Sequence, residues 1–166
     1  MANTPWVLIL MGSDSDAEAM SQAAAALDEV GVPYEMTVAS AHRTPERTKD
    51  IVTKADAEGA AVFIAGAGMA AHLPGVIASL TTKPVIGVPL SSGAMQGVDA
   101  LYAIVQMPPG IPVASVAIGG ARNAGILAAQ MIATGDAALA GRLREKRSAM
   151  ADAVVQKASK VQRSTR

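Results

Sequence analysis

Residues Trp6–Asp16 read WVLILMGSDSD, six apolar residues followed at once by a Gly-Ser-Asp loop. A short run with no polar face suits a strand buried on both sides, as in a parallel sheet covered by helices. The loop has the make-up of a strand-to-helix turn. Gly12 lets a ligand approach the backbone, Ser13 and Ser15 carry hydroxyl donors, and the helix start behind them favours an anion. Outward from this stretch the alternation repeats. Met20, Ala23, Ala24, Leu27 and Val30 recur at helical spacing until Gly31 stops the helix. Further strands are predicted over Tyr34–Ala39, Ala61–Ala65, Val85–Val88 and Val113–Ile118. Thr44-Pro45-Glu46 and Leu73-Pro74 read as helix starts. A helix from about Arg122 to Thr134 is apolar nearly all round, which calls for cover by a neighbour or a second subunit.

The last helix, roughly Asp136 to Lys160, carries Leu139, Leu143, Met150, Val154, Ala158 and Val161 on one stripe, interrupted by Lys146 and Arg147. Alternating strands and helices predict an α/β fold. The expected form is a three-layer doubly wound parallel sheet, flavodoxin-like, with a C-terminal helix, residues 1–166 forming one domain. Charged residues make up 17% of the chain against about 25% in a typical soluble domain, and aromatics only 2%. So few charges leave much apolar surface for a monomer, and a homo-oligomer is expected, with the C-terminal helix packing on a neighbouring subunit. Net charge is zero, which leaves no electrostatic footprint for nucleic acid or an anionic membrane. The basic residues between Arg142 and Arg166 read as a solvated helix face. There is no Cys, which excludes disulfides and thiolate chemistry. No segment reads as a membrane span or a signal peptide, so a cytoplasmic protein is expected.

In open α/β sheets ligands bind where strands end and loops lead into helices. Three such loops carry chemistry. In Gly12-Ser13-Asp14-Ser15-Asp16 the glycine and hydroxyls suit a phosphate, while an Asp suits ribose hydroxyls, so a sugar phosphate satisfies both. Helix capping by Ser13, Asp14 or Asp16 explains the same residues equally well. An Asp-x-Asp metal site lacks a third ligand nearby. In Ser40-Ala41-His42-Arg43-Thr44-Pro45 a proton-transfer group stands beside an anion clamp. Ala65–Gly75, AGAGMAAHLPG, has small side chains, open backbone amides and a second histidine, His72; it could cradle a carboxylate. It lacks dinucleotide spacing, and His72 could equally be a structural histidine in a tight turn. Ser91-Ser92-Gly93 and the Pro-dense Gln106–Pro112 form a softer fourth region, a rigid loop with room for a cis peptide.

Taken together, MGSDSD at Met11–Asp16, SAHRTP at Ser40–Pro45, AGAGMAAHLPG at Ala65–Gly75 and IVQMPPGIPV at Ile104–Val113 resemble the class I 5-(carboxyamino)imidazole ribonucleotide mutases, the PurE family. The likeness runs from about Val7 to Gly135, with the motifs in order. One departure is Met69, where the family loop has Gly. The resemblance implies a purine-biosynthesis isomerase of octameric assembly that needs neither metal nor cofactor. It would move the carboxyl group of the N-carboxylated ribonucleotide to ring carbon 4. His42 would shuttle the proton, since an imidazole ordinarily titrates near neutrality. Ser13 and Arg43 would hold the phosphate and Asp16 the ribose, with Gly12, Ser15, Ser40 and Ala41 around them. The amides from Gly68 through Met69 and Ala70 to Ala71 would hold the migrating carboxylate. His72 would support it, and Leu73 would help exclude water.

Two other readings compete. Direct carboxylation of aminoimidazole ribonucleotide by carbon dioxide is the class II activity; that group carries Lys where Arg43 stands and lacks the third loop. A non-catalytic nucleotide-binding module would need the Gly-Ser-Asp loop but would not need His42 in the same pocket.

Overall fold

The computed structural model describes residues 4–163; Arg166, the end of the basic stretch, lies outside them. Five parallel strands alternate with helices. β1 spans Trp6–Met11, α1 Ala17–Asp28, β2 Tyr34–Val38, α2 Pro45–Ala57 and β3 Ala60–Gly68. Then come α3 at Leu73–Ala78, β4 at Val85–Leu90, α4 at Val98–Val105, β5 at Ala114–Ser115, α5 at Ala121–Ala133 and α6 at Ala137–Val161. The sheet order β2-β1-β3-β4-β5 is the flavodoxin-like one. Trp6, half-buried at the start of β1, donates its indole Nε1–H to the Glu58 carbonyl at 3.4 Å.

The apolar run of β1 splits by side-chain alternation. Val7, Ile9 and Met11 face α1 and α5 together with Val62, Ile64, Ile86 and Val88. Leu8 and Leu10 face the other layer, where Val52 of α2, Leu73 and Ile77 of α3, and Ala100 and Ile104 of α4 close over Phe63 and Ala65. Each large side chain so buried is worth about 1.5–3 kcal/mol. With few aromatics, the layers come close through small residues. Gly125 of α5 lies against α1 so tightly that an added Cβ would fall 2.5 Å from the Ala23 carbonyl oxygen and 3.0 Å from the Ala26 Cβ.

Several boundaries differ from the sequence reading. β3 runs on through the first glycines of its loop to Gly68. β5 is only Ala114–Ser115, well short of Val113–Ile118. The cause is Pro89 in β4. Its carbonyl accepts from the Gly119 N–H at 2.8 Å on the β5 side, so its missing N–H falls on that side too and the ladder cannot continue. α4 has no counterpart in the sequence reading, because it starts after a left-handed Gly97 and has no capping side chain. No described peptide bond is cis, so the Gln106–Pro112 loop is built from trans bonds.

α6 is tied at its beginning and free beyond. Asp136 caps it by accepting from the Leu139 N–H. The Arg142 Nε–H reaches the Val30 carbonyl at 2.7 Å. Lys146, which broke the apolar stripe, pairs with Glu29 at the end of α1, as does Arg122. Of its 25 residues only Leu139 is buried, and Met150, Val154, Val155 and Val161 are exposed. Among the described residues no helix is long and apolar enough to cross a membrane.

Candidate active site

β1 lies between β2 and β3, so the loops after these three strands meet at one end of the sheet. The chain leaves β1 for one neighbour and returns on the other, the switch at which open sheets form a crevice. An open cleft of ≈ 450 Å³ lies there, lined by Gly12, Ser13 and Asp14 from the first loop, by Ser40, Arg43 and Thr44 from the second, and by Arg47 from the start of α2.

The second loop is braced from within. The Thr44 hydroxyl donates to the Ser40 carbonyl at 3.0 Å and accepts from the Ser40 N–H at 3.1 Å. The Ser40 hydroxyl accepts from the Arg43 N–H at 3.2 Å and from its Nε–H at 3.4 Å, and Arg43 Nη2 donates to the Gly12 carbonyl at 3.1 Å. The guanidinium is thereby held between the two loops, with donors left over for an anion.

In the first loop the capping reading holds. Ser13 and Asp16 form a capping box on a short 3-10 turn: the Asp16 carboxylate accepts from the Ser13 N–H at 3.2 Å. Partial burial raises the Asp16 carboxyl above its ordinary range; the Ser13 N–H pulls it back in part, and the neighbouring Asp14 charge pushes it up further. A raised carboxylate binds protons more readily folded than unfolded. Its contribution to stability is therefore lost as pH rises from the ordinary carboxylate range through the folded value, and the penalty persists at neutral pH. Asp16→Asn keeps a cap acceptor and removes the penalty. It should hold or raise the melting temperature at pH 7 while weakening ribonucleotide binding, measured by thermal unfolding and titration. A clear fall in melting temperature would mean that the charged cap outweighs the burial.

The third loop brings its histidine to the second. His42 Nε2 and His72 Nδ1 lie 2.9 Å apart, their rings edge to face with centroids at 5.0 Å. One nitrogen donates and the other accepts. Both side chains are exposed in the single chain. The turn between Gly68 and His72 is tight: the Ala71 N–H bonds the Met69 carbonyl and the His72 N–H the Ala70 carbonyl, both at 2.8 Å. The Ala71 amide is thus already taken, and the open amides of the predicted cradle narrow to those of Met69 and Ala70. A Cβ at Gly68 would sit 2.2 Å from the Ser92 hydroxyl, so that side chain would have to turn away. Met69 adopts φ 53°, the left-handed region that its glycine counterpart enters without cost, and its side chain is exposed. The Leu73 side chain is buried in the core.

Residues 6–153 match the family model described as AIR carboxylase. The chain belongs to the AIR carboxylase family. Among relatives in that family, the N5-carboxyaminoimidazole ribonucleotide mutase of Pyrococcus horikoshii is 52% identical over 95% of this chain and 89% of its own. The protein of the same name from Thermotoga maritima is 49% identical over 95% of this chain and 92% of its own. The crystal structure of Treponema denticola PurE superposes with a TM-score of 0.88 at 29% identity, covering 96% of this chain and 99% of that one. In this member of the family, Thr44, quoted in the second loop but given no role there, and Arg47, which the sequence reading passed over, line the cleft. For Arg47 a signal existed, a second arginine four positions beyond Arg43. Among the described residues no three His, Asp or Glu side chains gather as a metal site.

Proposed function

We propose that this protein is the purine-biosynthesis mutase that converts 5-(carboxyamino)imidazole ribonucleotide into 4-carboxy-5-aminoimidazole ribonucleotide. The observation that carries the reading is the paired His42 and His72 beside a cleft whose Arg43 bridges two loops. A carbamate loses carbon dioxide when its nitrogen is protonated. The aminoimidazole left behind is enamine-like, and its carbon 4 attacks the retained carbon dioxide; loss of the ring proton there restores aromaticity. One group that gives the first proton and takes the second ends as it began, so the protons balance. His42 is that group. His72, accepting through Nδ1 from His42 Nε2–H, supports the charged form of the shuttle. Ser13 and Arg43 hold the phosphate, Asp16 accepts from the ribose, and the Met69 and Ala70 amides hold the carboxylate. Gly12, Ser15, Ser40, Ala41 and Gly68 shape the walls.

The protein works as a cytoplasmic homo-oligomer, in our reading an octamer. The exposed stripe of α6 and the open histidines favour an assembly in which α6 packs on a neighbouring subunit and closes the site. The test is a choice of substrates given to purified protein at low bicarbonate. One arm supplies the N-carboxylated ribonucleotide; the other supplies aminoimidazole ribonucleotide with dissolved carbon dioxide. Product from the first arm alone is expected. Efficient product from the second would make the protein a carboxylase, and none from either, despite tight binding, would leave a nucleotide-binding module.

A further inference from the structure

We propose that Arg47 is a specificity residue that makes the site demand a phosphorylated sugar. The inference rests on the reading above, that the cleft between Ser13 and Arg43 takes the ribonucleotide phosphate. Three charged side chains line that cleft: Asp14, Arg43 and Arg47. Asp14 already draws in the Ser13 hydroxyl at 3.1 Å and the Ser15 N–H at 3.1 Å, so it stays in the cleft wall as a fixed negative charge. Arg43 alone would only cancel it. A phosphomonoester brings a charge of about −1.5 to −2 near neutrality. With Arg47 counted the cleft carries a net charge of +1, which adds to the local grip of Arg43 and strengthens the preference for a phosphate over a hydroxyl.

The two arginines are also in different states. Arg43 is held by Gly12 and Ser40, which fixes its direction. The Arg47 side chain, in the first turn of α2, is exposed and makes no hydrogen bond or ion pair among the described residues, although it also borders a neighbouring groove lined by Glu35 and Glu58. A guanidinium with its donors unused, lining the same cleft as Ser13, Ser40 and Arg43, can add a second grip on a phosphate there. Arg43 sets where the phosphate sits, and Arg47 supplies the charge that distinguishes it from an unphosphorylated sugar.

The experiment compares wild type, Arg47→Ala, Arg47→Lys and the control Lys54→Ala, a cation further along α2 outside the cleft. Turnover of the N-carboxylated ribonucleotide gives KM and kcat, and ribose 5-phosphate and ribose serve as binding probes. Arg47→Ala should raise KM roughly tenfold with kcat nearly unchanged, the size of one lost charge-assisted hydrogen bond. It should weaken ribose 5-phosphate in the same proportion and leave ribose unaffected. Arg47→Lys should recover part of the loss, and Lys54→Ala should match wild type. An unchanged KM in Arg47→Ala, an equal loss for ribose, or an equal rise in Lys54→Ala would overturn the proposal. Failure of the wild type to turn over would strike the mutase reading instead, while the ribose 5-phosphate comparison would still decide the role of Arg47.

Discussion

Replacing His42 with asparagine should leave the ribonucleotide bound and lower kcat by about 10²–10⁴-fold, the usual contribution of a positioned acid–base group. Asparagine is polar and fits the space of the imidazole, but its amide stops at the Nδ1 position and gives up the 2.9 Å contact that Nε2 makes with His72 Nδ1. The loop should nonetheless stay folded, since its bracing runs through Ser40, Arg43 and Thr44 and not through the imidazole. The loss should sit in kcat, with little change in the dissociation constant measured by direct titration. Near-normal turnover in this variant would end the shuttle assignment. A loss confined to KM would move His42 from proton transfer to binding.

Gly125→Leu should clearly destabilise the fold. The helix it occupies would gain from the substitution, because glycine is about 0.8–1.0 kcal/mol worse than alanine in a helix interior and leucine is a good helix former. Against that, the first added atom meets the Ala23 carbonyl at 2.5 Å, a backbone group that cannot swing aside, and the remaining branched carbons must displace α1. Overpacking of this kind costs about 1–3 kcal/mol, occasionally more. With α1 and α5 building one whole face of the sheet, the upper end applies and the clash wins by about 2 kcal/mol. For a chain of this length that is a fall of about 4–8 °C in melting temperature. A melting temperature equal to wild type would show that the two helices can slide apart freely.

The fold was legible because its strongest signal is local. β1 begins and ends where its apolar run does, and the two layers follow from alternation along that run. What escaped was set by partners distant in sequence. β5 looked longer because Val113–Ile118 is a good strand in isolation; Pro89, on the next strand, withholds the donor. α4 lacked a polar cap to announce it. At the site, the loops and their chemistry could be read from residue types, but not the contact between histidines thirty positions apart, which depends on β1 lying between β2 and β3. Nor could the sequence tell that the Ala71 amide is spent on its own turn. Ser13 and Asp16 form a helix cap whose geometry also suits the proposed ligand contacts, and so neither reading excluded the other.

The position of Trp6 has a practical side. It is the sole tryptophan and opens β1, whereas His42, Arg43 and His72 stand beyond the other end of that strand, roughly 17 Å away at the ordinary rise per residue. Indole emission from this protein has one origin, and that origin is remote from any bound nucleotide. A fluorescence titration should look silent even when the site fills, so silence of that kind says nothing against binding. The same remoteness makes the indole a clean ruler for unfolding. Its red shift can be followed with and without saturating ligand, and the displacement of the denaturation midpoint then reports affinity that the emission intensity itself never reveals.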